Sequence, residues 1–546
     1  MSENSSNEIP AAGGNLIETD YEIGQDNIQA NIGPFGLDIH NPVFAISSAA
    51  IILFVIGTLL FPEDATGFFD AAKSWVTVRF DWFFILTANI FLVFAIAIAI
   101  SPYGKVRLGG NDARPDFTLS GWLAMLFAAG MGIGLLFWSV GEPMTHFASS
   151  VAADAGTPGS WAPLGGAAGD VEEAARLGLA ATLYHWGLQA WAIYAVVGLA
   201  LALFAFNKGL PLAIRSAFYP IFGERVWGWV GHVIDIMAVL ATLFGLATSL
   251  GLGAEQINAG LSYLYGVPVS DVVKILLIST ITGVAMMSVL RGLDGGVKVA
   301  SEINMGLAFV LLVAVFFIGP TGAIVDRVAD SFVSYFAYLP ALSQPFGRED
   351  ENYAQGWSSF YWAWWVSWSP FVGMFIARVS RGRTVREFIT CVLIVPSFVC
   401  ILWMSIFAGV AFDQYITDGY RAVADAQLEV KLFEMFDVMP LAQLTSLVGI
   451  VLVAVFFITS SDSGSLVIDT ITAGGKDDGP IPQRVFWCIF EGLVAIALLL
   501  GGGLTALQSM VVTTGFPFTF VLLLMCVSIV IGLHSEWKQP KVVAPA

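Results

Sequence analysis

Twelve apolar runs, each long enough to cross a bilayer as a helix, take up most of the chain. They lie near 43–61, 82–101, 118–140, 180–205, 228–252, 272–290, 303–324, 358–377, 388–411, 441–461, 485–503 and 511–533. Only 12% of the residues are charged, about half the fraction of a soluble domain, so the expected class is an all-α polytopic membrane protein. A net charge of −18 with no basic stripe excludes a nucleic-acid partner.

Loops after the even-numbered runs, with the C-terminal tail, carry 16 of the 24 Lys and Arg, including Arg107, Arg215, Arg291, Arg381 and Lys476. An even number of spans and the positive-inside rule put both termini in the cytoplasm. Residues 1–42 hold seven acidic residues and no Lys or Arg, which argues against a cleaved signal peptide and predicts a disordered acidic tail. Cys391, Cys400, Cys488 and Cys526 all lie in apolar runs and are expected to be free thiols.

Two runs are interrupted. The third contains Ala128-Ala-Gly-Met-Gly-Ile-Gly134, and the eighth contains Ser367-Trp-Ser-Pro-Phe-Val-Gly373. Each interruption opens a set of five spans, and five is odd, so the second set enters the membrane from the opposite side. Unwound segments at matching places in two halves point to an inverted-repeat carrier with a midplane site. The resulting division is two additional helices over 43–101, repeat one over 118–324, and an external amphipathic connection over 325–357. Repeat two follows over 358–533, and a short cytoplasmic tail over 534–546.

The eighth run is also the most aromatic. Five of the 17 tryptophans fall between Trp357 and Trp368, and Tyr361, Trp364, Trp365 and Trp368 share an arc of roughly 100° on a helix. This predicts an aromatic wall for a cation on a helix broken at Ser369-Pro370. The fourth run adds Trp186, Trp191 and Tyr194. Together with Trp365 these rings can box a trimethylammonium group without a buried carboxylate, at about 2 kcal/mol per desolvated ring.

The glycine segment has two readings: close small-xxx-small packing through Gly130 and Gly134, or freed carbonyls for a small cation. Thr459 and Ser460, adjacent hydroxyls in the tenth run, favour the cation. Ionisable residues in apolar runs are functional candidates. Glu142 and Asp462 fall at run ends, where capping or gating pairs are expected, and His185 reads as a satisfied structural histidine. Asp235, Glu302 and Glu491 complete the set. The Arg378/Arg381/Arg383/Arg386 cluster reads as topology and contact with anionic lipid.

Residues 360–383, FYWAWWVSWSPFVGMFIARVSRGR, closely resemble the betaine–choline–carnitine transporter family. The resemblance implies a twelve-helix, LeuT-type five-plus-five inverted repeat, commonly trimeric, in the plasma (inner) membrane of a bacterium or archaeon. It implies a substrate box of Trp186, Trp191, Tyr194 and Trp365, with Trp364 and Trp368 on the inward path. It implies a sodium site from the carbonyls of Ala128, Met131 and Phe456 and the hydroxyls of Thr459 and Ser460. A second sodium site of the family matches at Thr242 and Phe371, but Leu246 stands where a second threonine is needed. Osmotically regulated members carry a long basic C-terminal helix, and this chain stops soon after the twelfth run, which implies weak or absent activation by that route.

The expected function is sodium symport, by alternating access, of a methylated onium osmolyte. Glycine betaine leads, with choline, carnitine, ectoine and dimethylsulfoniopropionate as rivals. No cofactor other than the coupling ion is expected. The competing readings are a sodium-independent or proton-coupled exchanger and, from another class, a passive channel or sensor. No nucleophile–base pair or metal-ligand spacing suggests an enzyme.

Overall fold

The computed structural model describes residues 15–32, 35–130, 132–153, 159–291, 297–476 and 479–538. An antiparallel hairpin comes first, β1 (Asn27–Ile32) paired with β2 (Phe35–His40). Helices α1 (Val43–Leu60) and α2 (Pro62–Ile100) follow, with α2 bent at Phe80. The third apolar run is divided between α3 (Leu119–Gly130) and α4 (Ile133–Val151), and the fourth between α5 (Val171–Trp186) and α6 (Leu188–Ala202). A short α7 (Tyr219–Phe222) leads into α8 (Trp229–Tyr265), α9 (Asp271–Arg291), α10 (Val297–Ile318) and α11 (Thr321–Leu342). One-turn α12 (Glu351–Tyr353) and a π-helical turn precede α13 (Ser359–Val379) and α14 (Val385–Ile416). The chain closes with α15 (Ala422–Asp425), α16 (Lys431–Asp437), α17 (Ala442–Thr472), α18 (Ile481–Leu500) and α19 (Gly503–Trp537).

Among the described residues ten helices are long and apolar enough to cross a membrane, or eleven when α3 and α4, bent by 61°, form one span. The eighth apolar run, α13, is not among them, because its Trp, Tyr, Ser and Pro lower its hydropathy. It is nonetheless largely buried, packed against α6, α8 and α19. Lipid is as apolar as the side chains, so this packing rests on close contact rather than on escape from water.

The break expected at Ser369-Pro370 is absent: α13 runs through Pro370. Proline cannot donate to the carbonyl four residues back, which belongs to Val366. The Ser369 hydroxyl donates to that same carbonyl at 2.7 Å and replaces the missing bond. The chain breaks instead at Gly187 (φ −96°, ψ −140°), between α5 and α6. Leu188 N–H leaves the helical ladder and donates to the Tyr335 hydroxyl at 3.0 Å. A β-carbon on Gly187 would lie 2.5 Å from that hydroxyl, so the hydroxyl requires a glycine there.

The acidic tail is also more ordered than its composition predicts. Asp38 of β2 pairs with Lys476 at 2.6 Å, and Asn27 donates to the Ala473 carbonyl at 2.8 Å. Gln483 donates to the Asp38 carbonyl at 3.1 Å, so the hairpin is fastened to the facing ends of α17 and α18. Residues 1–14 lie outside the described residues. The arginine cluster likewise bonds to protein. Arg381 pairs with Asp116 at 3.3 Å, Arg383 donates to the Phe117 carbonyl and lies over Trp122, and Arg386 donates to the Ala99 carbonyl. All four cysteines are free.

Candidate functional site

Trp365, on the buried face of α13, is the hub of an aromatic enclosure. Its ring lies 5.4 Å from Trp186 at the end of α5, and 5.8 and 5.0 Å from Trp191 and Tyr194 on α6. Interplanar angles of 83°, 61° and 59° make these edge or tilted contacts, the preferred arrangement for aromatic quadrupoles. The six aromatic residues expected at the substrate site, Trp364 and Trp368 included, line one cavity of about 70 Å³, whereas Tyr361 of the same arc does not line it and bonds to Glu142. Gly132, Gly134, Ser249 and Ser460 contribute to the same wall.

Each ring is placed by its backbone. The Gly187 break ends α5 directly after Trp186, and Trp191 Nε1 donates to the Trp186 carbonyl at 3.3 Å across it. Trp368 Nε1 donates to the Gly245 carbonyl on α8 at 3.0 Å. Trp364 and Trp365 carry indole N–H groups with no hydrogen-bond partner among the described residues. Trp357 is outside the enclosure and packs on His146 and Trp138 at 4.6 and 5.4 Å.

The residues assigned to sodium are only partly brought together. Ser460 reaches the cavity wall beside Gly132 and Gly134. The Thr459 hydroxyl turns back on its own helix, 3.1 Å from the Val455 carbonyl and 3.2 Å from that of Phe456. Ala128 is in α3, and Met131 lies outside the described residues. At the second position, the buried Thr242 donates to the Ala238 carbonyl at 2.7 Å, and Phe371 packs on Trp368 at 5.3 Å. Leu246 fills the neighbouring space: a β-carbon on Gly464 of α17 would lie 2.4 Å from Leu246 Cδ1.

Glu142 is the residue whose place the sequence did not reveal. It is not at a helix end, because α4 continues to Val151, and it is fully buried. Trp186 Nε1 donates to its Oε2 at 3.0 Å, and the Tyr361 hydroxyl donates to the same oxygen. Its Oε1 lies 2.6 Å from His185 Nδ1 and 3.3 Å from His146 Nε2. A carboxylate therefore stands directly behind the box, where rings alone were expected. The pairing of Glu142 with His146 at i, i+4 on one helical face was the available signal. Ligand atoms of Glu142, His146 and His185 lie within 4.8 Å of one another, the spacing of a metal triad, but hydrogen bonds already occupy them.

Asp462 is also internal to its helix and pairs with Arg484 at 3.2 Å. Asp235 pairs with Arg215, Glu491 accepts from Ser461 at 2.9 Å, and Glu302 is exposed. His185 is satisfied on both nitrogens, with Ser358 3.0 Å from Nε2.

Residues 42–538 match a family model described as BCCT, betaine/carnitine/choline family transporter. A glycine betaine/proline/choline transporter of Vibrio parahaemolyticus is 61% identical, the match covering 96% of this chain and 95% of the relative. Glycine betaine transporter 1 of the same organism is 53% identical, covering 95% and 98%. The glycine betaine transporter OpuD of Bacillus subtilis is 41% identical, covering 91% and 94%.

Proposed function

This chain belongs to the betaine/carnitine/choline transporter family, and from that premise we propose that it imports a methylated onium osmolyte, glycine betaine foremost, by sodium symport. The observation that carries the proposal is the convergence of Trp186, Trp191, Tyr194 and Trp365 on one cavity. Methyl groups on a quaternary nitrogen cannot donate hydrogen bonds, and ring faces hold such a cation without asking for donors. The unpartnered N–H groups of Trp364 and Trp365 favour a substrate whose other end is an acceptor, such as a carboxylate. That ranks glycine betaine above choline. Carnitine, ectoine and dimethylsulfoniopropionate remain rivals, and the name of one Vibrio relative adds proline.

In this reading α13 supplies the twelfth span, and the spans from α3 onward form two inverted sets of five. The protein is a homotrimer in a bacterial or archaeal plasma membrane with both termini in the cytoplasm. Sodium binds between the glycine segment and α17, through Ala128, Met131, Phe456, Thr459 and Ser460. Substrate then closes the box, and the carrier opens inward. Leu246 on Gly464 leaves an apolar contact where a second hydroxyl would be needed, which favours one sodium per cycle.

Uptake of radiolabelled glycine betaine into proteoliposomes, with external sodium replaced by potassium, tests the coupling. Loss of accumulation is expected, and undiminished uptake would discard sodium symport. The second reading, a sodium-independent or proton-coupled exchanger, draws on the Thr459 hydroxyl being directed at its own backbone. Counterflow without sodium would favour it.

A further inference from the structure

We propose that Glu142 is the positioning residue of the onium box and its built-in counter-charge, acting on the substrate cation through the indole of Trp186. The inference rests on the onium-osmolyte reading and goes past it, because the rings alone do not explain a carboxylate behind one of them.

Trp186 lines the cavity and also donates its N–H to Glu142 Oε2 at 3.0 Å. Indole has one polar hydrogen, so this bond fixes the tilt of the ring that meets Trp365 at 83°. Tyr361 donates to the same oxygen, and its ring packs edge-on against Trp138 at 5.8 Å. The other oxygen faces His185 and His146, and His185 Nε2 is held in turn by the hydroxyls of Ser358 and Tyr353 at 3.0 and 3.4 Å. Beyond Tyr353 the Arg348 guanidinium is already matched by Asp350 at 2.7 Å. The donors to Glu142 are thus an indole, a phenol and two imidazoles, none of which must carry a full positive charge. When Glu142 is ionised, a cation on the cavity face of Trp186 supplies the missing one.

The arrangement also accounts for selectivity. A carboxylate inside the cavity would hydrogen-bond primary and secondary amines and favour them. Placed beyond the N–H edge of an indole, its oxygens do not line the cavity, yet its field falls off only slowly in a low-dielectric interior and reaches a cation on the ring face. The donated N–H shifts electron density toward the ring face, which strengthens its attraction for a cation. Charge is recognised without recognition of N–H.

The test uses the full chain in lipid nanodiscs and two ligands of nearly the same shape. Glycine betaine carries the quaternary nitrogen, and tert-butylacetate carries carbon in its place. The readout is the ratio of their dissociation constants by titration calorimetry. Glu142→Gln, which keeps size and acceptor but removes charge, is expected to cut the preference for betaine by about tenfold or more. Trp186→Phe, which keeps a ring but severs the bond to Glu142, is expected to cut it as well, and the double variant is expected to lose less than the sum. An unchanged ratio in Glu142→Gln, or an equal loss for both ligands, would overturn the proposal by leaving Glu142 a purely structural role. If Glu142→Gln does not fold, an unchanged ratio in Trp186→Phe does the same. Failure of the wild-type protein to bind betaine would instead remove the functional reading on which the proposal rests.

Discussion

Gly134 is occupied from above by Trp364. A β-carbon at this position would lie 2.6 Å from Trp364 Cη2 and 3.0 Å from Trp186 Cη2, so two walls of the box close over one hydrogen atom. Gly134→Ala must push at least one indole aside. Because overpacking of this kind costs about 1–3 kcal/mol, the expected outcome is about tenfold weaker betaine binding. Folding and membrane insertion should persist, since the displaced atoms are ring edges beside a cavity. Calorimetry with a parallel thermal melt checks both parts.

Trp365 and Trp357 sit two turns apart on neighbouring segments and face different surroundings. Trp365 touches three rings of the box, whereas Trp357 packs on His146 and Trp138. Removing one desolvated cation–π contact costs about 2 kcal/mol, so Trp365→Leu is expected to weaken substrate binding about thirtyfold. Trp357→Leu is expected to lower thermal stability with a smaller effect on affinity. Equal losses of affinity would mean that the aromatic run serves packing alone.

Leu246 and Gly464 form a knob and a hole between α8 and α17. A methyl on Gly464 would come within 2.4 Å of Leu246 Cδ1, and Gly464→Ala is expected to cost about 1–3 kcal/mol of stability. Leu246→Val in the same chain should recover part of that loss. A Leu246→Thr variant offers a hydroxyl but loses the knob, so a steeper sodium dependence of uptake is not expected from it.

His40 is buried at the end of the hairpin, 3.1 Å from Arg215 Nη1 and 3.4 Å from His232 Nδ1. Burial first, then the charge of Arg215, pushes its imidazole down to about 3 from the ordinary 6.5. The undocked hairpin therefore binds a proton that the docked one refuses, and docking weakens as pH falls from 6.5 toward that lower value. Above 6.5 the full stabilisation is present. Amide exchange of residues 27–40 should accelerate on going from neutral pH to about pH 5, and His40→Asn should flatten the response.

Much of this fold can be read from hydropathy, because a bilayer penalises any unpaired backbone group and leaves helices as the answer. The six aromatic residues of the cavity were also legible, since helical spacing put Trp364, Trp365 and Trp368 on one arc. What escaped was local bonding. Pro370 reads as a break in sequence, and the Ser369 hydroxyl restores the lost bond to Val366. Gly187 gave no warning because its partner, Tyr335, is on a helix far along the chain. Glu142 was placed at a boundary because run length measures where hydrophobicity stops, whereas the bend between α3 and α4 and four polar neighbours decide where a carboxylate can lie. Asp38 reads as part of a disordered tail because its countercharge, Lys476, is distant in sequence.

The interruption at Gly187 puts Trp186 and Trp191 on the two sides of a joint within one span. A rotation there would change the gap between the indoles, and the carbonyl-to-indole bond of 3.3 Å is the tie that spans the joint. The cage is thus assembled from pieces on α4, α5, α6, α8, α13 and α17. An occupant touching every piece would work as a keystone: the pieces would hold it, and it would hold them in register.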